Sequence, residues 1–186
     1  MTWEVTGRPE ADEVLQDPFA LLIGMLLDQQ YPMEHAFRGP WKIRERLGSI
    51  DPAMIAGADP DDFVALATTP PAIHRYGRAM ALRIQELARL IVDEYEGDAS
   101  QIWETAESGP ELLRRVRSLP GFGDQKSRIF VALLAKRVGA RPPGWETAAG
   151  DYALPGYRSV ADVYDAQSLQ QVRAYKKAAK AAAKAT

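Results

Sequence analysis

Three features of the 186-residue chain predict an all-α fold. Apolar residues recur three and four positions apart over long segments, which places them on one face of a helix. Acidic residues directly precede prolines at Asp17, Asp51 and Asp59, an arrangement typical of a helix N-cap followed by the first helical residue. No segment alternates apolar and polar residues convincingly over the length of a strand.

The first half of the chain contains four predicted helices. The apolar segment from about Pro18 to Gln30 is expected to form a buried helix. A second helix follows Pro32; we expect Gly39-Pro40 to break or kink it and Gly48 to end it. Two short helices then begin after the acid–proline pairs at 51–52 and 59–60.

The following segments predict two longer helices. After a proline-rich loop at 69–71, residues 76–97 form an amphipathic pattern that ends at a glycine. Its apolar face collects Met80, Ile84, Leu87, Leu90 and Ile91. A shorter helix over 110–119 places Leu112, Leu113 and Val116 on one face.

A glycine-rich turn joins this shorter helix to the next one. The sequence LPGFG, residues 119–123, precedes a helix that begins at about Asp124. Glycines at 121 and 123 permit backbone conformations that other residues resist. The free N–H groups and the positive dipole end of the second helix favour an anion such as a phosphate. An ordinary glycine turn between two helices is the alternative interpretation.

The composition excludes several kinds of site. The chain has no cysteine, which excludes disulfides, iron–sulfur clusters and thiolate metal sites. With only His35 and His74, a histidine-based metal site is not expected. The apolar run over 19–27 is about half the length of a membrane span, and no signal-peptide pattern is present. We therefore expect a cytoplasmic protein with no membrane partner.

Charge is distributed unevenly along the chain. The net charge is −2, but residues 1–100 hold 9 Lys/Arg and 17 Asp/Glu, whereas residues 101–186 hold 14 and 8. This asymmetry favours a polyanion such as nucleic acid as partner, and a solvated helix surface is the alternative. The segment over 166–186 lacks acidic residues and includes Lys176, Lys177 and Lys180. It predicts either a basic helix that contacts phosphates or a disordered solubilising tail.

Three blocks of the sequence resemble the helix–hairpin–helix base excision DNA glycosylases, the HhH-GPD superfamily. LPGFG with its apolar helix is similar to the hairpin of that superfamily, FALLIGMLLDQQ to its first core helix, and YGRAMALRIQELARLI to the segment that precedes the hairpin. The blocks occur in the superfamily's order between residues 18 and 139. The resemblance implies a two-lobed helical domain over 1–165, with its hairpin near 119–124, followed by a basic helix or tail over 166–186.

The resemblance also implies that the protein binds double-stranded DNA and flips a base out of the duplex. By position, Gln30 is the residue inserted into the duplex, with Gln29 beside it. An amide suits this role because it can both donate to and accept from the orphaned base. A solvated helix end is the alternative interpretation of the two glutamines. Asp28 and Trp145 are expected at the base pocket, where Trp145 would stack on the base unless it belongs to the core.

The hairpin and its helix are expected to contact the DNA backbone. The DNA-contacting residues that the resemblance implies here are Gly121, Phe122, Gly123, Lys126 and Arg128. Asp124 is unusual in this place, because its charge would repel a phosphate. We expect it to point away or to act through a bridging monovalent cation, and no other cofactor is expected.

The chain departs from the superfamily at the catalytic lysine. In members with lyase activity this lysine lies two residues after the last hairpin glycine, where the present chain has Gln125 and then Lys126. One step along a helix turns a side chain by about 100°. Lys126 could therefore occupy the catalytic position only if the turn holds an extra residue, and Gln125 is the residue expected there.

The chain also departs at the catalytic carboxylate. The position that the resemblance gives to an aspartate is Pro143 in this chain, and the nearest acids are Glu146 and then Asp151. A carboxylate beside the sugar can stabilise an oxocarbenium-like transition state and activate water. Glu146 is therefore the first candidate and Asp151 the second, although Glu146 could be an ordinary acid in the first turn of a helix.

These observations predict a monomeric DNA glycosylase of base excision repair that hydrolyses the N-glycosidic bond without cleaving the strand. A DNA-binding protein on the same scaffold without catalysis is the first alternative. A helical protein-interaction module is the second. The protein is expected in the cytoplasm, at the nucleoid if it is bacterial.

Overall fold

The computed structural model describes residues 3–185 and confirms the all-α prediction, since these residues form helices and no strand. The helices are α1 Pro9–Val14, α2 Pro18–Leu27, α3 Met33–Leu47, α4 Pro52–Gly57, α5 Pro60–Thr68, α6 Gly77–Tyr95, α7 Gln101–Glu104, α8 Gly109–Arg117, α9 Asp124–Leu133, α10 Trp145–Ala149 and α11 Ala166–Ala185. A π-helical turn, Leu134–Val138, continues α9, and 3₁₀ turns lie at Gly150–Ala153 and Val160–Asp162.

The acid–proline pairs begin helices as predicted. Asp17 caps α2 by accepting hydrogen bonds from the backbone N–H groups of Phe19 and Ala20, at 2.8 and 3.0 Å. Asp59 caps α5 through the N–H of Asp62 at 3.0 Å. Each cap satisfies N–H groups that have no partner inside the helix.

Two helix boundaries differ from the prediction. Helix α2 ends at Leu27 instead of Gln30, so residues 28–30 form a short irregular segment. Helix α3 continues through Gly39-Pro40, so of the predicted break or kink the break does not occur. Both residues are buried, and a Cβ on Gly39 would lie 2.3 Å from Leu27 Cδ1. Close packing of α3 on α2 therefore offsets the loss of one helical hydrogen bond at the proline.

The helices pack in two groups around one continuous apolar core. In the first group, α2 packs against α3 and α6, and its residues 19–27 are all buried. Helix α1 packs against α3, α4 against α6, and α5 against both α3 and α6. In the second group, α9 packs against α8 and α10. The groups meet where the turn between α8 and α9 contacts the end of α2. The 28–30 segment and the hairpin are therefore neighbours in space.

The C-terminal helix α11 is anchored only at its first half. Leu169 and Val172 are buried, and the Arg173 guanidinium pairs with the carboxylate of Glu34 on α3. Its second half is exposed. None of the helices within residues 3–185 has the length and apolarity needed to cross a bilayer.

Candidate functional site

The hairpin requires a glycine at position 121. Its φ is +82°, a conformation that other residues adopt only with strain. A Cβ here would also lie 2.4 Å from Leu26 Cδ1 and 2.7 Å from Arg83 Cδ. Gly121 therefore lets the turn approach the end of α2, which fixes the hairpin relative to the 28–30 segment.

The second hairpin glycine has a different role from the one expected. Gly123 has an extended backbone, with φ −73° and ψ 179°, that any residue can adopt, so the expected conformational requirement is wrong. It is the N-cap of α9, and no atom lies within 4 Å of the position that a Cβ would take there. A side chain at this position would therefore point into open space.

Phe122 belongs to the core and not to the exposed surface of the hairpin. Its side chain is 4% exposed and meets Phe130 edge to face at 5.8 Å between ring centroids. The expected contact of this residue with DNA can therefore involve only its backbone. The ring anchors the turn on α9.

Asp124 is neutralised by two arginines. Its carboxylate pairs with Arg117, and it accepts a hydrogen bond from Arg128 Nε at 3.1 Å. The hydrogen bonds from Arg128 and Arg117 lower the pKa of Asp124. Arg128 also donates to the carbonyl oxygen of Ala148 at 2.8 Å. The three side chains carry a net charge of one positive unit, so Asp124 does not make the hairpin repel phosphates.

A cavity of about 700 Å³ opens beside α9. We call it the α9–α11 cavity, because α9 forms one wall, the segment over 149–152 the second, and α11 the third. Its lining residues are Gln125, Arg128, Ile129, Ala149, Gly150, Asp151, Tyr152, Arg158, Tyr175, Lys176, Ala179 and Lys180. The volume lies in the range typical of small-molecule sites.

The two carboxylate candidates lie in different places. Asp151, in the 3₁₀ turn, lines the cavity. Its neighbour Tyr152 accepts a hydrogen bond from Gln125 Nε2 at 3.0 Å, which connects the turn to α9. Glu146 is exposed on α10 and is not among the lining residues. The structure therefore brings Asp151, and not Glu146, together with Gln125.

Lys126 points away from the cavity. Its ammonium group donates to the carbonyl oxygen of Leu26, at the end of α2, at 2.9 Å. That oxygen lacks a helical partner, and a cation there also complements the negative end of the helix dipole. Burial lowers the pKa of Lys126 to about 8, although the nearby Asp28 carboxylate acts in the opposite direction.

Asp28 forms the acidic counterpart of this buried lysine. Burial raises the pKa of Asp28, and the positive charges of Lys176 and Lys126 partly offset the effect. Asp28 lies close enough to α9 and α11 to interact with both lysines, but it does not line the cavity. The expected pocket residue is therefore not part of the cavity lining.

The two glutamines after α2 are arranged differently. Gln29 donates from its amide to the Leu26 carbonyl oxygen at 2.9 Å, so its side chain is held against the protein. Gln30 is exposed and has a φ of +50°. Of the two glutamines expected to contact DNA, only Gln30 presents its side chain to solvent.

His74 orders the backbone of this segment. The backbone N–H of Tyr76 donates to His74 Nδ1 at 3.0 Å, so the proton of the neutral ring is on Nε2. Nε2 then donates to the carbonyl oxygen of Gln29 at 2.9 Å. Burial lowers the pKa of His74, which favours this neutral form. The histidine thus holds the loop that presents Gln30.

The basic helix α11 contributes a wall of the cavity. Tyr175, Lys176, Ala179 and Lys180 line it, whereas Lys177 does not. Trp145, expected at the pocket, is half-buried at the start of α10, packs against the core, and is also absent from the lining. Residues 3–185 contain no cluster of three or more His, Asp or Glu suited to a metal ion.

The sequence interpretation missed the aromatic residues of the cavity and one of its arginines. Tyr152, Tyr175 and Arg158 line it, and the Arg158 guanidinium lies 6.0 Å from the centroid of the Tyr175 ring. A tyrosine inside an otherwise Lys- and Ala-rich helix was the one available signal. Tyr152 lies in a short 3₁₀ turn and Arg158 outside any helix, so no periodicity indicates which way their side chains point.

A comparison with protein families identifies the superfamily of the chain. The family model described as the HhH-GPD superfamily base excision DNA repair protein matches residues 23–186. The match includes the hairpin, the cavity and α11, and it confirms the resemblance found in the sequence. No curated protein matches the chain.

Proposed function

We propose that this chain, which belongs to the HhH-GPD superfamily of base excision DNA repair proteins, is a DNA glycosylase that uses water and leaves an intact abasic strand. The hairpin would bind the phosphate backbone through the N–H groups at the start of α9. The flipped nucleotide would enter the α9–α11 cavity, and Gln30 would fill the gap left in the duplex.

The observation that carries the proposal is the position of Asp151. Among the described residues that line the cavity it is the only carboxylate, and the cavity begins directly beside the hairpin helix. A carboxylate there can stabilise positive charge at the sugar as the glycosidic bond breaks, and it can accept a proton from the attacking water. Asp151 therefore replaces Glu146 as the first catalytic candidate.

The absence of a strand-cleaving step is supported by the position of Lys126. An amine nucleophile must reach the sugar carbon that loses the base, and none of the α9 side chains that line the cavity, Gln125, Arg128 and Ile129, can form a Schiff base. Lys126 instead donates its hydrogen bond to Leu26 at the end of α2. In the proposal the ammonium groups of Lys176 and Lys180, which line the cavity from α11, act as cations, and water is the nucleophile.

A panel of duplexes, each with one altered base, tests the proposal. Each duplex is incubated with excess full-length protein and scored for abasic sites by alkaline cleavage, with untreated samples showing whether the strand was cut beforehand. We expect alkali-dependent cleavage for at least one altered base. Salt-dependent duplex binding with no base release across the panel would instead favour the DNA-binding protein without catalysis. Duplex binding that does not depend on salt would favour neither this alternative nor the glycosylase.

A further inference from the structure

We propose that the α9–α11 cavity selects neutral bases rich in carbonyl oxygens, as produced by deamination or oxidation, over cationic N-alkylated bases. This inference rests on the proposed glycosylase function and concerns the substrate class of the same site. Charge, hydrogen-bonding capacity and the aromatic surface of the cavity each support it.

Charge in the cavity is predominantly positive. Four lining residues are cationic, namely Arg128, Arg158, Lys176 and Lys180, against the single carboxylate of Asp151. The charged groups around these residues do not change the balance. They add two cations, Arg117 and Lys126, and two carboxylates, Asp124 and Asp28. A base that carries a positive charge would therefore be repelled on entry.

Hydrogen-bond donors predominate over acceptors on the cavity wall. Tyr152 already accepts a hydrogen bond from Gln125 through its hydroxyl oxygen, so its own O–H remains available to donate. The ammonium groups of Lys176 and Lys180 are donors without acceptor capacity. A base with additional carbonyl oxygens supplies the acceptors that these groups need.

Tyr175, one of the two tyrosines that line the cavity, already has a cation over the face of its ring. The Arg158 guanidinium lies over the Tyr175 ring at 6.0 Å, a distance at which a cation interacts favourably with the face of an aromatic ring. An alkylated base would have to displace this guanidinium to gain the same interaction. A neutral base has no such competitor.

The chemistry of the leaving group points in the same direction. When a neutral base leaves, the C1′–N bond breaks with its electron pair going to the base nitrogen, so negative charge develops on the base. The oxygen of a water molecule then bonds to C1′, one water proton passes to Asp151 and from there to the base nitrogen or to solvent, and the other remains on the new hydroxyl. The cations of the wall stabilise the developing negative charge. A cationic base leaves without developing such charge and gains less from them.

Single-turnover base release tests the inference. Duplexes of one sequence carry uracil, hypoxanthine or 8-oxoguanine as neutral carbonyl-rich bases, or N7-methylguanine or N3-methyladenine as cationic ones, with spontaneous loss subtracted. At saturating full-length protein the rate reports the bound complex and not the affinity for DNA. We expect at least one neutral base to be released about tenfold faster than either cationic base, a difference of about 1.4 kcal/mol in barrier. The deaminated and oxidised substrates show which source of carbonyl groups is used.

A matched pair of variants connects the preference to the wall. Lys176→Gln with Lys180→Gln removes two lining charges, and we expect the ratio of neutral to cationic release to fall by about tenfold. Lys177→Gln with Lys184→Gln removes two charges from the same helix outside the cavity lining and should leave the ratio unchanged.

Three outcomes overturn the inference, and they are distinguishable from each other. Faster release of a cationic base contradicts the selectivity but leaves the glycosylase proposal intact. An unchanged ratio in the Lys176/Lys180 double variant shows that these charges do not select the base. Failure to release any base of either class, in a protein that still binds duplex DNA, removes the proposed function and the inference with it.

Discussion

The two sides of helix α9 have opposite environments, although they begin with adjacent residues. On the open side, Gln125 reaches Tyr152 at the cavity, beside Asp151. On the buried side, Lys126 donates to the end of α2, near Asp28. Two adjacent residues of α9 therefore differ in role: Gln125 can contact a substrate, whereas Lys126 joins α9 to the end of α2. We propose a catalytic role for the open side and a structural role for the buried side.

The largest expected effect is on catalysis at the open side. Asp151→Asn preserves the shape of the side chain but removes its charge and its ability to accept a proton. We expect single-turnover base release to fall by about 10²- to 10⁴-fold. The matched control is Glu146→Gln, an exposed carboxylate outside the cavity lining, which should change the rate by less than about threefold. A reversal of these two results would return the catalytic role to Glu146.

A second prediction concerns the glycines of the hairpin. Gly121→Ala introduces a Cβ at a φ of +82° and within 2.4 Å of Leu26 Cδ1, so we expect the free energy of unfolding to fall by about 1–3 kcal/mol. Gly123→Ser, at an open N-cap with an extended backbone, should leave stability unchanged or slightly higher. Urea denaturation measures both, and equal losses would show that the two glycines have the same structural role.

A third prediction concerns binding by α11. Replacing Lys176 and Lys180 with alanine removes two charges that border the cavity, and the slope of log affinity against log salt should fall by about 2. Lys177→Ala with Lys184→Ala removes the same number of charges from the same helix. We expect a smaller change for this pair. An identical change in both double variants would show that α11 contributes only general positive charge.

A fourth prediction is a pH dependence of stability from the buried side. The pKa of Lys126 is about 8 in the folded protein and 10.5 in the unfolded chain, so between these values the unfolded chain binds more protons. Stability attributable to this group therefore rises with pH from about 8 to 10.5. Lys126→Met should remove that rise in urea midpoints measured across this window. A rise that persists in the variant would have to come from another group.

Much of the fold was predictable because its signals are local. The acid–proline pairs at Asp17 and Asp59 fix helix starts through nearby N–H groups, and Gly121 marks a turn that few other residues could form. Of the break or kink predicted at Gly39-Pro40, the break does not occur, because the cost of a proline in a helix is local, whereas the packing of Gly39 on Leu27 that offsets it is not. A local sequence pattern does not indicate such contacts between different helices.

The site was less predictable for the same reason. Lys126 and Leu26 are far apart in the chain, and no periodicity indicates that the lysine reaches the end of α2. The choice between Glu146 and Asp151 depended on where the short 3₁₀ turn after α10 places its side chains. That turn is too short for a sequence period to indicate this. The family resemblance identified the hairpin and Gln30, but the departure of the chain from the superfamily at the catalytic positions left the carboxylate open.

Borohydride trapping on a duplex whose base the protein releases tests the central claim most directly. A Schiff base between protein and DNA becomes a permanent covalent complex under these conditions. We predict no complex for the wild-type protein and retained base release in Lys126→Met, because the α9 side chains that line the cavity include no amine and Lys126 donates to the end of α2. Gln125→Lys, which places an amine on the open side, should gain a complex and serves as the positive control. A wild-type complex that disappears in Lys126→Met would contradict the account, since it would place the nucleophile on the side of α9 that we assign to architecture.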